Sequence, residues 1–202
     1  MILTSFILSQ IVRWELFFFD QGFPSLFAKP PFILMGNMLV FGGVRDLSPG
    51  QGHGFFTGID TASGIVIWDT EFLEIRRSSI YTLSPGINGF YAAGQCLMSS
   101  GSPWHILAMK IGESGNILWW RVPLNPDEDF LPQSALSDSR DNLVVVGTMR
   151  KTETGNYDIV LHSWDSNGNH RWSTTYNSPW NDRDTPWMAT MDEDGNTYVA
   201  GD

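Results

Sequence analysis

The sequence predicts an all-β protein built from repeated four-stranded blades, and three observations predict it. A glycine followed four residues later by a tryptophan recurs as Gly64 to Trp68, Gly115 to Trp119 and Gly168 to Trp172, at intervals of 51 and 53 residues. Strand-like segments ending in Gly43, Gly94, Gly147 and Gly201 keep the same step, at intervals of 51, 53 and 54 residues. No segment carries a long apolar stripe at the helical period of about 3.6 residues, and glycine and proline interrupt the chain too often for long helices. A fixed period of about 40 to 55 residues with strand-like contents is the signature of a β-propeller.

The elements follow in chain order. The apolar start, Met1 to Val12, has no preceding Lys or Arg and no small-residue cleavage site after it, and it is too short to span a bilayer. Trp14 lies 54 residues before Trp68, with Gln10 in the glycine place, so residues 4–19 read as the third and fourth strands of a half blade within 1–20. Residues 30–73, 79–122 and 131–176 read as complete blades. In the last of these, segments 131–137 and 142–148 flank the turn Asp138-Ser-Arg-Asp141, and segments 157–163 and 169–175 flank Asp165-Ser-Asn-Gly168. Aspartate can bond its own backbone in such turns and glycine accepts positive φ, so both loops favour hairpins. Residues 185–202 supply a first and a second strand. The 202 residues therefore form one propeller region with about four blades present. Two arrangements are compatible with the terminal halves. A closed four-bladed ring requires residues 12–18 and 6–8 to share a sheet with residues 196–201, which removes exposed sheet edges. A piece of a larger ring requires no such pairing; the usual size of rings built from units this long, and the stop at Ala200-Gly-Asp202, favour it.

Composition excludes several classes of partner. With 42% hydrophobic and 13% aromatic residues the chain has ample material for a core. Twelve basic against 22 acidic residues give a net charge of -10, with no basic cluster longer than Arg76-Arg77 and Arg150-Lys151. That balance repels phosphate backbones and anionic lipid, which argues against nucleic acid and against membrane insertion. The single cysteine, Cys96, follows Gly94 on a strand and reads as a small buried hydrophobe.

The stretch Gly58-Ile-Asp60-Thr-Ala-Ser63-Gly64-Ile-Val-Ile-Trp68 resembles the tryptophan-docking repeat of quinoprotein-like propellers. The unit running from Asp158 through Asp165-Ser-Asn-Gly168 to Trp172, followed by Asp192-Glu-Asp-Gly195 and Gly201, resembles the SBBP-type β-propeller repeat of bacterial secreted and cell-surface proteins. This resemblance covers nearly the whole chain and implies a secreted or cell-envelope setting. It specifies the blade and not the ligand. The chain departs from the pattern where Ile111 replaces the turn aspartate and Gln10 the glycine, and the aspartate-to-glycine spacing is one shorter in the third unit than at Asp60. Were the quinoprotein resemblance to extend to cofactor chemistry it would bring pyrroloquinoline quinone with calcium, but the vicinal cysteines that would accompany them are missing and no cofactor is expected.

In the repeat, each tryptophan can dock its ring on the adjoining blade while its indole N–H reaches a backbone carbonyl, so Trp68, Trp119 and Trp172 are expected in the core as staples. Trp104, Trp120, Trp164, Trp180 and Trp187 fall outside that register. Trp180, with Asn181 and Asp182, sits in a polar connector, where it can form a ligand platform, although packing beneath its own loop is the favoured reading. Connectors 46–53, 124–130 and 177–184 carry the residue variety that recognition uses, so a protein, peptide or glycan partner is expected to bind through loops at one end. The turns at Asp165 and Asp192 place oxygen side chains two apart before a glycine, as calcium loops do, yet the full twelve-residue pattern is absent and hairpin chemistry wants the same residues. His53, His105, His162 and His170 match no metal-ligand spacing, and nucleophile elbows, zinc motifs and phosphate loops are absent. Three functions remain: a non-catalytic interaction or scaffold module, part of a quinoprotein-like dehydrogenase, and a glycan-active enzyme with carboxylates converging from separate blades. The first requires only what is visible.

Overall fold

A computed structural model describes residues 2–6, 12–17, 31–48, 51–123, 128–151, 155–180 and 182–202. The strands, in chain order, are β1 (Ile2–Phe6), β2 (Val12–Phe17), β3 (Phe32–Met35), β4 (Met38–Ser48), β5 (Gln51–Asp60), β6 (Val66–Glu71), β7 (Arg77–Gly86), β8 (Gly89–Leu97), β9 (His105–Gly112), β10 (Ile117–Arg121), β11 (Glu128–Ser137), β12 (Leu143–Lys151), β13 (Tyr157–Trp164), β14 (His170–Tyr176), β15 (Pro186–Met191) and β16 (Thr197–Gly201). Three antiparallel meanders of four strands, β3 to β6, β7 to β10 and β11 to β14, lie between the hairpins β1–β2 and β15–β16. The described residues contain no helix.

Successive sheets stack on one another. Strand β7 packs on β3, β4 and β5, β11 packs on β7, β8 and β9, and β15 packs on β11 and β12. First strands thus converge from sheet to sheet, which is the β-propeller arrangement. The two hairpins form separate sheets, so the pairing expected of a closed four-bladed ring is not formed among the described residues. Residues 7, 8 and 18, also named in that expectation, lie outside the described residues.

The middle strands show why the chain is rich in unbroken apolar runs. Side chains alternate between the two faces of a strand, and here both faces are covered. Phe90, Ala92, Leu107 and Met109 face the first sheet, joining Val40, Phe56 and Phe72. Their neighbours Tyr91, Ala93, Ile106 and Ala108 face the third sheet, joining Trp119, Leu143, Val145 and Trp164. Val144, Val146, Ile159 and Leu161 then pack on Ala189, Met191 and Val199 of the last hairpin. Cys96 is fully buried, and loss of solvent pushes its thiol up to about 12.

The glycine register has a steric cause. In three successive units the first strand carries one extra residue, a β-bulge at Tyr81, Gln133 and Trp187, immediately beside the pairings Ile80 with Gly94, Pro132 with Gly147 and Pro186 with Gly201. A Cβ added at Gly94 would lie 1.9 Å from the carbonyl oxygen of Ser79, one at Gly147 2.5 Å from that of Leu131, and one at Gly201 2.1 Å from that of Thr185. Only glycine lets the bulged strand approach this closely.

The tryptophan register has another. Trp68 donates its indole N–H to the Glu113 carbonyl at 3.0 Å, and a Cβ on Gly115 would lie 2.6 Å from its ring. Trp119 repeats this on the next sheet, donating to the Ser166 carbonyl at 2.9 Å with its ring 2.8 Å from a Cβ placed on Gly168. Gly115 and Gly168 also have φ of 82° and 79°. Two residues beyond each ring a further bond crosses the same joint, from Thr70 Oγ1 to the Gly115 carbonyl and from Arg121 Nε to the Gly168 carbonyl, both at 2.8 Å.

Three expectations need correction. Trp172 is 37% exposed rather than core, because β15 and β16 are a first and a second strand and the described residues place no third-to-fourth turn against it. Ile111 is not the residue in the turn-aspartate place. Gly112 is, since its N–H bonds the Asn116 carbonyl as Asp165 bonds Asn169, while Ile111 is buried on β9. Connector 46–53 is mostly strand, with Asp46 opposite Gly52 and Arg45 opposite His53.

Candidate functional site

Antiparallel meanders put first-to-second and third-to-fourth turns at one end, and second-to-third loops and the sheet-to-sheet connectors at the other. The turn end is taken up by its own bonding. Asp138, Asp165 and Asp192 each accept from the backbone N–H groups two and four residues on and from the side chain of Asn142, Asn169 or Asn196, at 2.7 to 3.1 Å. The bond from Asn169, and likewise that from Asn196, holds the Asp165 and Asp192 carboxyls below their usual range; at Asp138 burial opposes the shift but the Asn142 bonds prevail. Being depressed, these groups stabilise the fold above the ordinary carboxylate range and lose that contribution as pH falls through it. The two turns weighed for calcium thus hold their carboxylates on their own backbone. Also near this end is a groove of about 1040 Å³ lined by Asn88, Lys110, Trp119, Asp141, Ser166 and Asn167. In it Lys110 and Asp141 pair across the second and third sheets: Lys110 Nζ bonds Asp141 Oδ2, Ile87 N–H donates to Asp141 Oδ1 at 2.9 Å, and Tyr91 Oη donates to the Asp141 carbonyl at 2.6 Å.

The connector end presents different chemistry. Each complete sheet carries a guanidinium over an aromatic ring there: Arg45 on Phe55 at 4.7 Å, Arg77 on Trp104 at 5.1 Å, and Arg150 and Arg183 on Tyr157 at 6.0 and 4.8 Å. Asp129 links two of these groups, accepting from the Trp104 N–H at 2.8 Å and lying 3.9 Å from Arg150. The connector after β14 is closed from beneath by buried Asp184, whose carboxylate accepts from Ser178 N–H at 2.7 Å and whose own N–H reaches the Tyr157 carbonyl at 2.8 Å. That closure leaves Trp180 at the turn tip, 83% exposed, so it does not pack beneath its own loop. Asp182 is exposed and accepts from Arg183 N–H at 2.8 Å; Asn181 lies outside the described residues. Of connector 124–130, residues 124–127 also lie outside, and the remainder begins β11.

On the converging first strands the bulges set out a row that the sequence did not single out. Each bulged side chain bonds the residue following the register glycine on the second strand: Gln95 Nε2 donates to Tyr81 Oη at 2.9 Å, Gln133 Nε2 to Thr148 Oγ1 at 3.4 Å, and Trp187 Nε1 to Asp202 Oδ1 at 2.8 Å. Trp187 is nevertheless 73% exposed. The signal was there in Gly94, Gly147 and Gly201, each of which marks a bulge on its partner strand.

The structure also brings together two histidines that spacing alone left apart. His162 stacks on Trp164 with centroids 5.7 Å apart and lies 6.1 Å from His170, because the turn at residues 165–169 and a bulge at Arg171 fold the eight-residue interval back on itself. Burial, reinforced by His170, pushes His162 down to about 4. A depressed histidine is neutral when folded and protonated when unfolded, so stability is present above its unfolded value of about 6.5 and falls as pH drops towards 4. The loss approaches about 3 kcal/mol. Urea unfolding at pH 7 and pH 4.5 is expected to show this loss in the native protein and to show much less of it in His162→Gln; equal acid sensitivity in both would refute the assignment.

No protein-family model matches the chain, and no curated protein matches it. Among solved structures, the endo-arabinase from Bacteroides thetaiotaomicron is similar to it with a TM-score of 0.47 and 10% sequence identity, over 85% of this chain and 68% of that one.

Proposed function

We propose that the chain is a non-catalytic interaction module of a secreted or cell-envelope protein, which binds a protein, peptide or glycan through its connector end. The observation that carries this is the exposure of Trp180 at the tip of a connector whose base is fixed by Asp184. An exposed ring at a connector tip offers apolar contact area, and in the same connector Asp182 and Arg183, the latter stacked on Tyr157, supply polar and stacking groups. The repeat residues Gly64, Trp68, Gly115, Trp119 and Gly168 are absorbed by turns and joints and Trp172 lies on the exposed β14, which favours the connectors for recognition. Calorimetric titration against glycan and peptide panels, and against pyrroloquinoline quinone with calcium, tests the proposal. Binding is expected without turnover, weakened by about tenfold or more in Trp180→Ala with an unchanged melting temperature. Sugar or alcohol oxidation with the quinone would overturn it, as would binding insensitive to Trp180→Ala but lost on substitution at the turn end, for example Arg140→Ala.

A further inference from the structure

We propose that the bulge row on the first strands recognises a neutral, hydroxyl-rich chain, an oligosaccharide; this rests on the binding role of the connector end. Tyr81, Gln133 and Trp187 occupy one repeat position because the same irregularity recurs there, so the row advances by one side chain per blade. Each is anchored from the second strand, and of the three only Trp187 is exposed. Tyr81 accepts from Gln95, and its hydroxyl is also hydrogen-bonded with Ser79, which fixes the ring at its polar end. Gln133 is tied through its amide nitrogen to Thr148, while its Oε1 is a buried acceptor with no partner among the described residues. Trp187 is fixed through its N–H by Asp202, which holds the exposed ring in a set plane. Arg77, whose Nε also has no partner among the described residues, lies on the same strand as Tyr81 and within electrostatic reach of it.

A pyranose or furanose ring offers the matching alternation, an apolar C–H face and a rim of hydroxyls that donate and accept. Exposed Leu131 and Met188 on the same strands extend the apolar contact. An added peptide strand fits worse, because a bulge breaks the regular ladder that strand addition copies. A polyanion fits worse against a chain of net charge -10 with Asp202 in the row.

Affinity electrophoresis of the whole chain in gels containing galactomannan, xylan or mixed-linkage β-glucan, with polygalacturonate as the anionic comparison, tests this, alongside selection from a displayed peptide library. Retardation by at least one neutral polysaccharide is expected. Tyr81→Phe and Gln133→Ala should each weaken it by about fivefold and Trp187→Phe by less, while Trp187→Ala should weaken it by about tenfold. Melting temperatures separate these effects from unfolding, and Trp187→Phe keeps an aromatic ring should Trp187→Ala fail to fold. Retardation by polygalacturonate alone, or neutral retardation unchanged in all the row variants, would overturn the proposal. Peptide capture lost in Trp180→Ala, with no polysaccharide retarding the chain, would overturn the saccharide and leave the connector-end role intact. If neither polysaccharide nor peptide is bound, both fall.

Discussion

Replacing Trp119 with alanine is expected to cost about 3 to 5 kcal/mol of stability, whereas the same change at Trp172 should cost about 1 kcal/mol. The two residues hold the same place in the repeat and differ in what lies beyond them. Trp119 is 9% exposed, fills the core between the second and third sheets, and bonds the Ser166 carbonyl. Alanine there loses the buried ring area and leaves a cavity facing Gly168, where no side chain can relax into the space. Trp172 lies on β14, which is exposed along its whole length. Midpoints of urea unfolding for the two variants settle the matter: equal costs would mean that the ring is stabilised by its own sheet, and that the joint to the next turn contributes little.

Asp141→Asn is expected to destabilise the protein by about 3 to 5 kcal/mol, and adding Lys110→Met should restore most of the loss. Both side chains are nearly buried, and they face each other across two sheets. Asparagine tolerates the Asp141 backbone, whose φ is 63°, so the single substitution removes the charge without breaking the turn. Lys110 is then a buried cation held near Tyr91 and Asn88 with no counter-charge. The double variant replaces the pair with an apolar side chain of similar length. A single-variant cost below about 1 kcal/mol, or no recovery in the double, would show that solvent reaches the pair and screens it.

Much of the fold was legible because two residue types mark steric contacts directly. A tryptophan at a fixed offset from a glycine announces a ring laid on a turn, and the joints at Gly115 and Gly168 are that contact. The recurrence of four-stranded sheets follows from the same period. The burial of any one ring is not so encoded: Trp119 and Trp172 look alike in sequence, and their environments diverge through elements outside their own repeat. The candidate site was less legible. Tyr81, Gln133 and Trp187 share a position but no chemistry, so no pattern joins them, although the glycines opposite do. Lys110 and Asp141 meet across a sheet interface, and nothing within 31 residues of sequence hints at the pairing. Trp180 is legible as a connector residue, but its freedom from its own loop is not, since that depends on Asp184 bonding beneath it.

The stapling of one sheet to the next also governs how such a chain can grow or shrink. Each complete sheet bears a ring on its outermost strand and a glycine corner beside it, and the middle sheet both receives a fastening, from Trp68, and gives one, through Trp119. Removing or duplicating one whole period brings a ring and a corner of the same kind face to face again. Blade number is therefore a heritable variable that recombination can alter in integer steps at no cost to the fastening, while the connectors at the far end are left to diverge.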